Sequence, residues 1–174
     1  MARKYLLPDY RFKRLSEITV EDLQKLGVKA VAVDIDNTLA YDCQNEFIDG
    51  ADEWVEKIKK AGFKLIIISN ATFRRAGYMG KVLGIPYVAF AWKPRRYGFY
   101  IACKKLGIKP KELAVAGDQI YADVKGANKV GAVSIYVDPA KMETRNLIFF
   151  GRRRRLEKPV LAEFEQNHGY GIED

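Results

Sequence analysis

The chain has 174 residues, 48% of them hydrophobic, which is enough for one substantial core and too little for two. Its 30 Lys and Arg against 22 Asp and Glu give a formal net charge of +8, which favours an anionic partner such as a phosphorylated substrate, acidic lipid or nucleic acid. The apolar runs are far shorter than the roughly 20 residues that cross a bilayer, and no basic-then-apolar leader opens the sequence. We therefore expect a cytoplasmic protein that is at most peripheral at a membrane surface.

Five apolar runs alternate with amphipathic stretches along the chain, and this alternation predicts strands joined by helices. The runs lack a strict apolar-polar alternation, which is typical of strands covered on both faces. We therefore expect an α/β fold with an open, doubly wound parallel sheet, whose functional crevice lies at the carboxyl ends of the strands. The predicted strands are residues 30–34, 64–69, 87–90, 113–116 and 132–137, and the predicted helices are 51–61, 74–83, 97–106 and 122–130.

Both ends of the chain are locally basic, which suggests a division into a basic arm (1–26), a core (27–140) and a basic extension that packs on the core (141–174). The arm interleaves aromatic and leucine side chains with cations, and apolar residues 147–150 precede an unbroken arginine run at 152–155. Such segments can rest in a lipid headgroup region, or they can pack on the sheet with the arginines in solvent. Four consecutive arginines are also typical of a nucleic-acid patch.

Two carboxylates separated by one residue follow the first predicted strand. Asp34 and Asp36 stand there, and Asn37 and Thr38 come next. This spacing can place both carboxylates at the tip of one strand. The alternative is an ordinary turn with solvated acids.

Further polar residues follow the other predicted strands and therefore fall on the same edge of the sheet. A phosphoryl-transfer site needs such a set: a carboxylate nucleophile, an acid/base, hydroxyl and amide donors, a cation, and more carboxylate for magnesium. Taken singly, the same residues fit a turn, a solvated loop cation or a helix cap. They are Ser69 and Asn70 after the second strand, Lys93 after the third, and Asp118, Gln119 and Asp123 after the fourth.

The order of these residues resembles the four motifs of the haloacid dehalogenase superfamily. Within it, the stretches LLPDYRF, VDIDNTLA, IIISNA, KP and GDQIYADV look like the YqeG family of phosphatases. Two positions depart from the usual pattern: Ala122 stands where the last motif has Thr, and Ala71 where relatives often have a second Asn. The motifs match residues 34–38, Ser69, Lys93, and Asp118 with Asp123.

The resemblance implies a magnesium-dependent phosphomonoester hydrolase that passes through an aspartyl-phosphate. Asp34 would be the nucleophile, and Asp36 would act as the general acid and then the general base. Mg²⁺ would be held by the carboxylates of Asp34 and Asp118 and by the backbone carbonyl of Asp36.

The remaining residues receive supporting roles from the same resemblance. Ser69 would cradle phosphate oxygens together with backbone amides, and Lys93 would neutralise charge in the transition state. Asp123 would orient Lys93 or the metal waters. The residues expected to contact phosphate or substrate are Asn37, Thr38 and Asn70, and Gln119 is expected to support the last motif.

The two positions where superfamily members insert a cap domain have little room in this chain. Residues 39–64 accommodate a short flap and one helix, and residues 71–93 one helix and one strand. An open crevice grips a small molecule poorly, so we expect a bulky substrate such as a lipid, a protein or a polynucleotide end. The flap, residues 41–48, would provide the nearest selectivity, with Asp42, Cys43 and Gln44 close to the leaving group.

Three alternatives for the function remain open at this point. YqeG-like proteins are similar to mitochondrial and plastid phosphatases that convert phosphatidylglycerophosphate to phosphatidylglycerol, which implies a lipid at a membrane surface. Capless superfamily members also act on polynucleotide ends, and the basic chain suits them. The third alternative is a non-enzymatic phosphate-binding module, as in receiver domains, although Asp36 and Thr38 are dispensable there.

Overall fold

The computed structural model describes residues 5–42, 44–140 and 147–172, with the backbone alone for 147–150. Its described residues form one six-stranded parallel sheet in the order β1-β6-β5-β2-β3-β4. The predicted α/β class and parallel sheet are therefore confirmed. The strands are β1 (Tyr10–Phe12), β2 (Ala30–Val33), β3 (Lys64–Ile68), β4 (Tyr87–Val88), β5 (Leu113–Gly117) and β6 (Val133–Val137).

Helices connect these strands and cover both faces of the sheet. Short 3₁₀ helices occupy Leu15–Glu17 and Pro110–Glu112, and a π-helix spans Ile120–Val124. The α-helices are α1 (Val20–Lys25), α2 (Ala51–Lys60), α3 (Phe73–Leu83), α4 (Arg96–Leu106), α5 (Lys125–Val130) and α6 (Leu147–Asn167).

Three local features differ from the sequence prediction. The prediction missed β1, which is only three residues long and lies in a basic stretch. The predicted strand at 87–90 ends at Val88, since Phe90 adopts a positive φ of 44° and donates its N–H to the Ala71 carbonyl. The helix predicted at 122–130 begins instead as the π-helix and continues as α5.

Side-chain alternation along the central strand explains why helices cover both faces. Val31 and Val33 of β2 join the core cluster that contains residues of α1, α2 and α3. Ala30 and Ala32 point the other way and pack with residues of α4 and α5. All four side chains are buried, which accounts for the continuous apolar run in the sequence.

The chain reverses its direction across the sheet at β2. It adds β3 and β4 on one side of β2, then returns to place β5 and β6 on the other side. Loops leaving the carboxyl ends of β2 and β5 therefore diverge and open a crevice at this switch point. Asp34 lies at its floor, since its N–H donates to the Ala116 carbonyl of β5 at 3.0 Å.

The basic arm contributes to the fold through Arg11 of β1. Its side chain is buried, and Nε lies 2.8 Å from Asp138 Oδ1 beyond β6. The same guanidinium pairs with Glu165 of α6. Arg11 therefore links the two ends of the chain at the sheet edge, while residues 1–4 of the arm lie outside the described residues.

None of the helices in the described part of the chain combines the length and apolar character that a membrane crossing requires.

The contact between α4 and α5 provides a test of the packing. A Cβ built on Gly126 would lie 2.3 Å from the Phe99 ring, so Gly126→Ala should destabilise the fold by about 1–3 kcal/mol through overpacking. Gly151 of α6 meets no atom within 4 Å, so Gly151→Ala is the matched control and should be neutral or stabilising by up to about 1 kcal/mol. Urea unfolding of both variants measures the difference, and equal midpoints would contradict this packing.

Candidate active site

Three buried carboxylates meet at the switch point of the sheet. Asp34 and Asp118 follow directly after β2 and β5, which are paired in register so that Val33 faces Ala116. Asp123 belongs to the π-helix, and its carboxylate lies beside the other two. One carboxylate oxygen from each of the three lies within 4.8 Å of the others.

The sequence around Asp123 explains how a residue of a helix reaches the strand ends. A Cβ on Gly117 would lie 2.3 Å from Asp123 Cγ, so only glycine leaves room for this carboxylate. Gln119 holds both ends of the turn, because its N–H donates to Asp123 Oδ2 at 3.2 Å and its carbonyl accepts the Asp123 N–H at 2.8 Å. π-helical turns of this kind occur frequently at functional sites. The buried Ala122 also donates its N–H to the Gln119 carbonyl, at 3.3 Å.

Lys93, in the loop after β4, bridges two of the three acids. Its Nζ lies 2.8 Å from Asp34 Oδ1 and 2.5 Å from Asp123 Oδ1, and the residue is only 7% exposed. Burial alone lowers the pKa of Lys93, but Asp123 and Asp34 outweigh it, so the pKa is raised and the ammonium stays charged. Burial and the nearby charge of Asp123 raise the pKa of Asp34, and Lys93 opposes that shift.

Asn70 and Ser69 shape the loop that carries Lys93. The Asn70 side chain accepts the Lys93 N–H at 2.8 Å and donates to the Lys93 carbonyl at 3.3 Å. Ser69 is buried, and its Oγ accepts the Ala71 N–H at 3.1 Å. The structure thus gives Asn70 a positioning contact with Lys93, and its predicted contact with phosphate stays a prediction.

A tight turn places the residues after Asp34. The Ile35 carbonyl accepts amide hydrogens from Leu39 and Ala40, both at 2.9 Å. Asn37 has a positive φ of 60°, a conformation that asparagine tolerates better than most residues. Asn37 Oδ1 and Thr38 Oγ1 are buried without a hydrogen-bond partner among the described residues, which is costly unless a bound group supplies one.

The carboxylate of Asp36 lies outside the group of three acids and is held by Arg75 of α3. Arg75 Nη2 and Nε lie 2.7 and 3.1 Å from Asp36 Oδ1. The same guanidinium donates to the backbone carbonyls of Tyr41 and Gln44 at 3.4 and 2.9 Å. Arg75 therefore connects Asp36 to the flap. The predicted metal contact of Asp36, through its backbone carbonyl, stays a prediction.

The flap is short and is held by backbone hydrogen bonds between its two ends. Tyr41 donates its N–H to the Glu46 carbonyl at 3.1 Å, and Ala40 forms an antiparallel bridge with Phe47. Of the residues predicted near the leaving group, Asp42 and Gln44 lie in this flap and Cys43 lies outside the described residues. In the described parts of 39–64 and 71–93 there is no inserted cap domain, only the flap, α2, α3 and β4.

Arg154 of α6 reaches the site from the C-terminal extension. Its guanidinium donates to Asp118 Oδ2 and to the Asp118 carbonyl, and Nη1 lies 3.0 Å from Glu157 Oε2. Glu157 is buried and accepts the Ile120 N–H at 2.9 Å. Burial raises the pKa of Asp118 well above its ordinary value, and Arg154 opposes that shift.

Sequence reasoning missed Arg75, Arg154 and Glu157. Arg154 belongs to a run of four identical residues, so no pattern distinguished it from its neighbours. From the sequence, the run predicts a lipid or nucleic-acid contact or a solvated surface, whereas Arg154 pairs with a buried acid. The predicted headgroup contact of residues 147–150 concerns side chains outside the described part of the chain.

The acidic group fits a hard divalent cation. Its three carboxylates share one Lys and an Arg that is also paired with Glu157, so the negative charges outnumber the positive ones. Asp118 Oδ1 is buried without a hydrogen-bond partner among the described residues. Oxygen ligands of this kind suit Mg²⁺, whose charge would balance the excess.

Comparisons with known proteins show the family to which this chain belongs. A family model described as haloacid dehalogenase-like hydrolase matches residues 11–131. The probable phosphatase YqeG of Bacillus subtilis is 32% identical over 166 residues, which cover 95% of each chain. The mitochondrial phosphatidylglycerophosphatase GEP4 of Saccharomyces cerevisiae is 26% identical over 141 residues, covering 73% of this chain and 76% of the yeast protein.

A solved structure shares the fold. The 3-deoxy-D-manno-octulosonate 8-phosphate phosphatase of Moraxella catarrhalis, in complex with magnesium and phosphate ions and a sugar, aligns with a TM-score of 0.50 and 19% identity. The alignment covers 82% of this chain and 91% of that one. At this level of identity the likeness shows the α/β fold alone.

The close approach of Asp123 to Gly117 provides a test of metal binding by the acidic group. Gly117→Ala should push the Asp123 carboxylate aside and weaken Mn²⁺ binding at least about tenfold, because a displacement near 1 Å is costly in a preorganised site. Titration of Mn²⁺ followed by electron paramagnetic resonance measures the affinity, and Gly151→Ala is the control with open space. Unchanged Mn²⁺ affinity in a folded Gly117→Ala protein would contradict the assigned geometry.

Proposed function

Because this chain belongs to the haloacid dehalogenase-like hydrolase family and is a phosphatase of that family, we propose that Asp34 attacks phosphate esters and forms an aspartyl-phosphate. The convergence of Asp34, Asp118 and Asp123, with the Lys93 ammonium paired to Asp34 and Asp123, supports this proposal most directly. A carboxylate at the end of a central strand, with a fixed cation beside it, suits nucleophilic attack on phosphorus.

In the first half of the reaction, an Asp34 oxygen forms a bond to phosphorus as the bond from phosphorus to the substrate alcohol oxygen breaks. Asp36 delivers a proton to that oxygen, so the leaving group departs as a neutral alcohol. Lys93 stays charged beside the reacting oxygens and offsets the negative charge of the transition state. The buried hydroxyls of Ser69 and Thr38 supply donors for phosphate oxygens.

In the second half, Asp36 removes a proton from water, whose oxygen attacks phosphorus. The bond between Asp34 and phosphorus breaks, which releases inorganic phosphate and restores the Asp34 carboxylate and the protonated Asp36. Arg75 donates to Oδ1 of Asp36 and thereby fixes the orientation of the carboxylate that accepts this proton.

The carboxylates of Asp34 and Asp118, with the Asp36 carbonyl, would hold Mg²⁺. When bound, the ion screens the clustered anions so that the phosphate group can approach. Arg154 fixes the orientation of Asp118 through two contacts, which supports this role.

The substrate we propose is a phospholipid monoester, phosphatidylglycerophosphate or a close equivalent, met by a peripherally bound protein. The open crevice supports a substrate that supplies its own bulk, since the described part of the chain contains no cap domain. The similarity to GEP4, whose name gives this lipid as its substrate, supports it independently.

The two aspartates after β2 should have separable effects. Asp34→Asn should lower kcat at least about a thousandfold because the nucleophile is lost. Asp36→Asn should slow hydrolysis of the phosphoenzyme, so that acid quenching traps phosphate on the protein. Borohydride reduction followed by mass spectrometry then locates a homoserine at position 34.

Asp52→Asn is the matched control, because Asp52 is an exposed acid in the first turn of α2. It should leave turnover unchanged. Phosphate trapped on another residue, or full activity of Asp34→Asn, would contradict the proposed nucleophile.

The substrate class is tested with mixed vesicles. The protein should release phosphate from phosphatidylglycerophosphate in phosphatidylcholine vesicles with a kcat/KM at least about tenfold above that for an aryl phosphate, since binding energy from the lipid adds to catalysis. Release should stop when a chelator removes Mg²⁺. Good turnover of the aryl phosphate with none of the lipid would disprove the substrate and leave the mechanism standing.

A further inference from the structure

The basic charge of this chain is concentrated in one continuous segment. Residues 57–111 contain 14 Lys and Arg and no Asp or Glu, whereas the other 119 residues contain 16 cations and all 22 acids. This acid-free segment includes β3, α3, β4 and α4, which form the β4 end of the sheet. That end of the molecule is therefore the one that attracts anions.

The same segment also carries most of the exposed apolar surface. Seven of the ten large apolar or aromatic side chains that are exposed in the described residues belong to it. Exposed apolar groups that gather in one region usually mark an interaction surface. They are Phe73, Tyr78, Val82, Phe90, Trp92, Tyr97 and Tyr100.

Three of these rings, which we call the aromatic rim, stand beside the catalytic crevice: Phe73, Phe90 and Trp92. Phe73 and Trp92 are 64% and 61% exposed, and the rings of Phe73 and Phe90 are 5.3 Å apart. Phe90 and Trp92 line a cavity of about 320 Å³ together with the catalytic Lys93. A surface that binds the aromatic rim therefore lies against the entrance to the site.

The backbone shows that the exposure of these rings is built into the loop. Phe90 and Trp92 have positive φ values of 44° and 54°, which are rare and costly for bulky residues. Between them, Ala91 is fully buried and donates its N–H to the Ser69 carbonyl at 3.0 Å. The strained turns thus present two rings to solvent while Ala91 and Lys93 point inward.

Cations flank the aromatic rim. The Arg95 guanidinium lies 6.0 Å from the centroid of the Trp92 ring, and Arg74 and Arg96 are also exposed. Aromatic rings next to arginines are typical of proteins that rest in the headgroup region of an anionic membrane. A base-stacking platform is less suitable here, because the Phe73 and Phe90 rings meet edge to face at 70° and offer no parallel faces.

We propose that the aromatic rim and its flanking arginines dock on an anionic bilayer and bring lipid phosphates to the crevice. This inference rests on the proposed lipid substrate and assigns the membrane contact to the β4 end of the sheet. Within the two basic ends, Arg11 and Arg154 are instead engaged in ion pairs within the protein. Docking of this kind orients the crevice towards the headgroups without a cap.

The test is flotation of the full-length protein with phosphatidylcholine vesicles, with and without phosphatidylglycerol. The wild type should bind the vesicles that contain phosphatidylglycerol, less so at raised salt. The Phe73→Ala/Trp92→Ala double variant should lower the partition coefficient at least about tenfold. The control is Leu156→Ala, which changes an apolar residue of α6 that is 51% exposed, and it should bind like the wild type.

A charge variant tests the cations separately. Arg96→Gln should lower the partition coefficient about fivefold, the expected effect of one cation near the surface. Lys158→Gln removes an exposed cation of α6, outside the acid-free segment, and should have no effect. Thermal unfolding of each variant verifies that it is folded.

Equal vesicle binding by the double variant and the wild type would overturn the proposal. So would binding of a single-stranded oligonucleotide without vesicle binding, which would assign the surface to nucleic acid. The inactive Asp34→Asn variant should float like the wild type, so vesicle binding is measured independently of catalysis. Vesicle binding without hydrolysis of phosphatidylglycerophosphate would disprove the substrate and keep the docking surface.

Discussion

The site depends on the burial of three carboxylates at one point of the sheet. An isolated buried carboxylate is strongly unfavourable, so these acids persist only because cations and hydrogen bonds compensate them. Lys93 bridges Asp34 and Asp123, and Arg154 pairs with Asp118. Negative charge still exceeds positive charge, and this excess suits a divalent cation.

The ends of the chain complete this arrangement. α6 supplies Arg154 and Glu157, and Glu157 also accepts the N–H of Ile120 at the start of the π-helix. β1 adds an edge strand beside β6, and Arg11 connects it to α6 through Glu165. Ion pairs therefore connect α6 both to the acidic group and to the edge strand, which makes the C-terminal helix part of the site's support.

Sequence patterns predicted the central strands and the sheet edge where the motif residues meet, because buried parallel strands are continuous apolar runs and the motifs follow them directly. They could not predict which cation pairs with Asp118, since four identical arginines offer no pattern and the choice is made by the packing of α6. The contact between Arg75 and Asp36 likewise depends on how α3 lies against the flap. The aromatic rim was not predicted, because the residue types in this loop do not indicate the positive φ values of Phe90 and Trp92.

The central claim is that Asp34 and Asp118 share one divalent cation at the switch point of the sheet. Anomalous diffraction from crystals grown with Mn²⁺ tests it most directly. The account predicts a single strong peak in direct contact with oxygens of both carboxylates, with Lys93 still beside Asp34. A peak bound elsewhere, or no peak at a Mn²⁺ concentration that supports turnover, would contradict it.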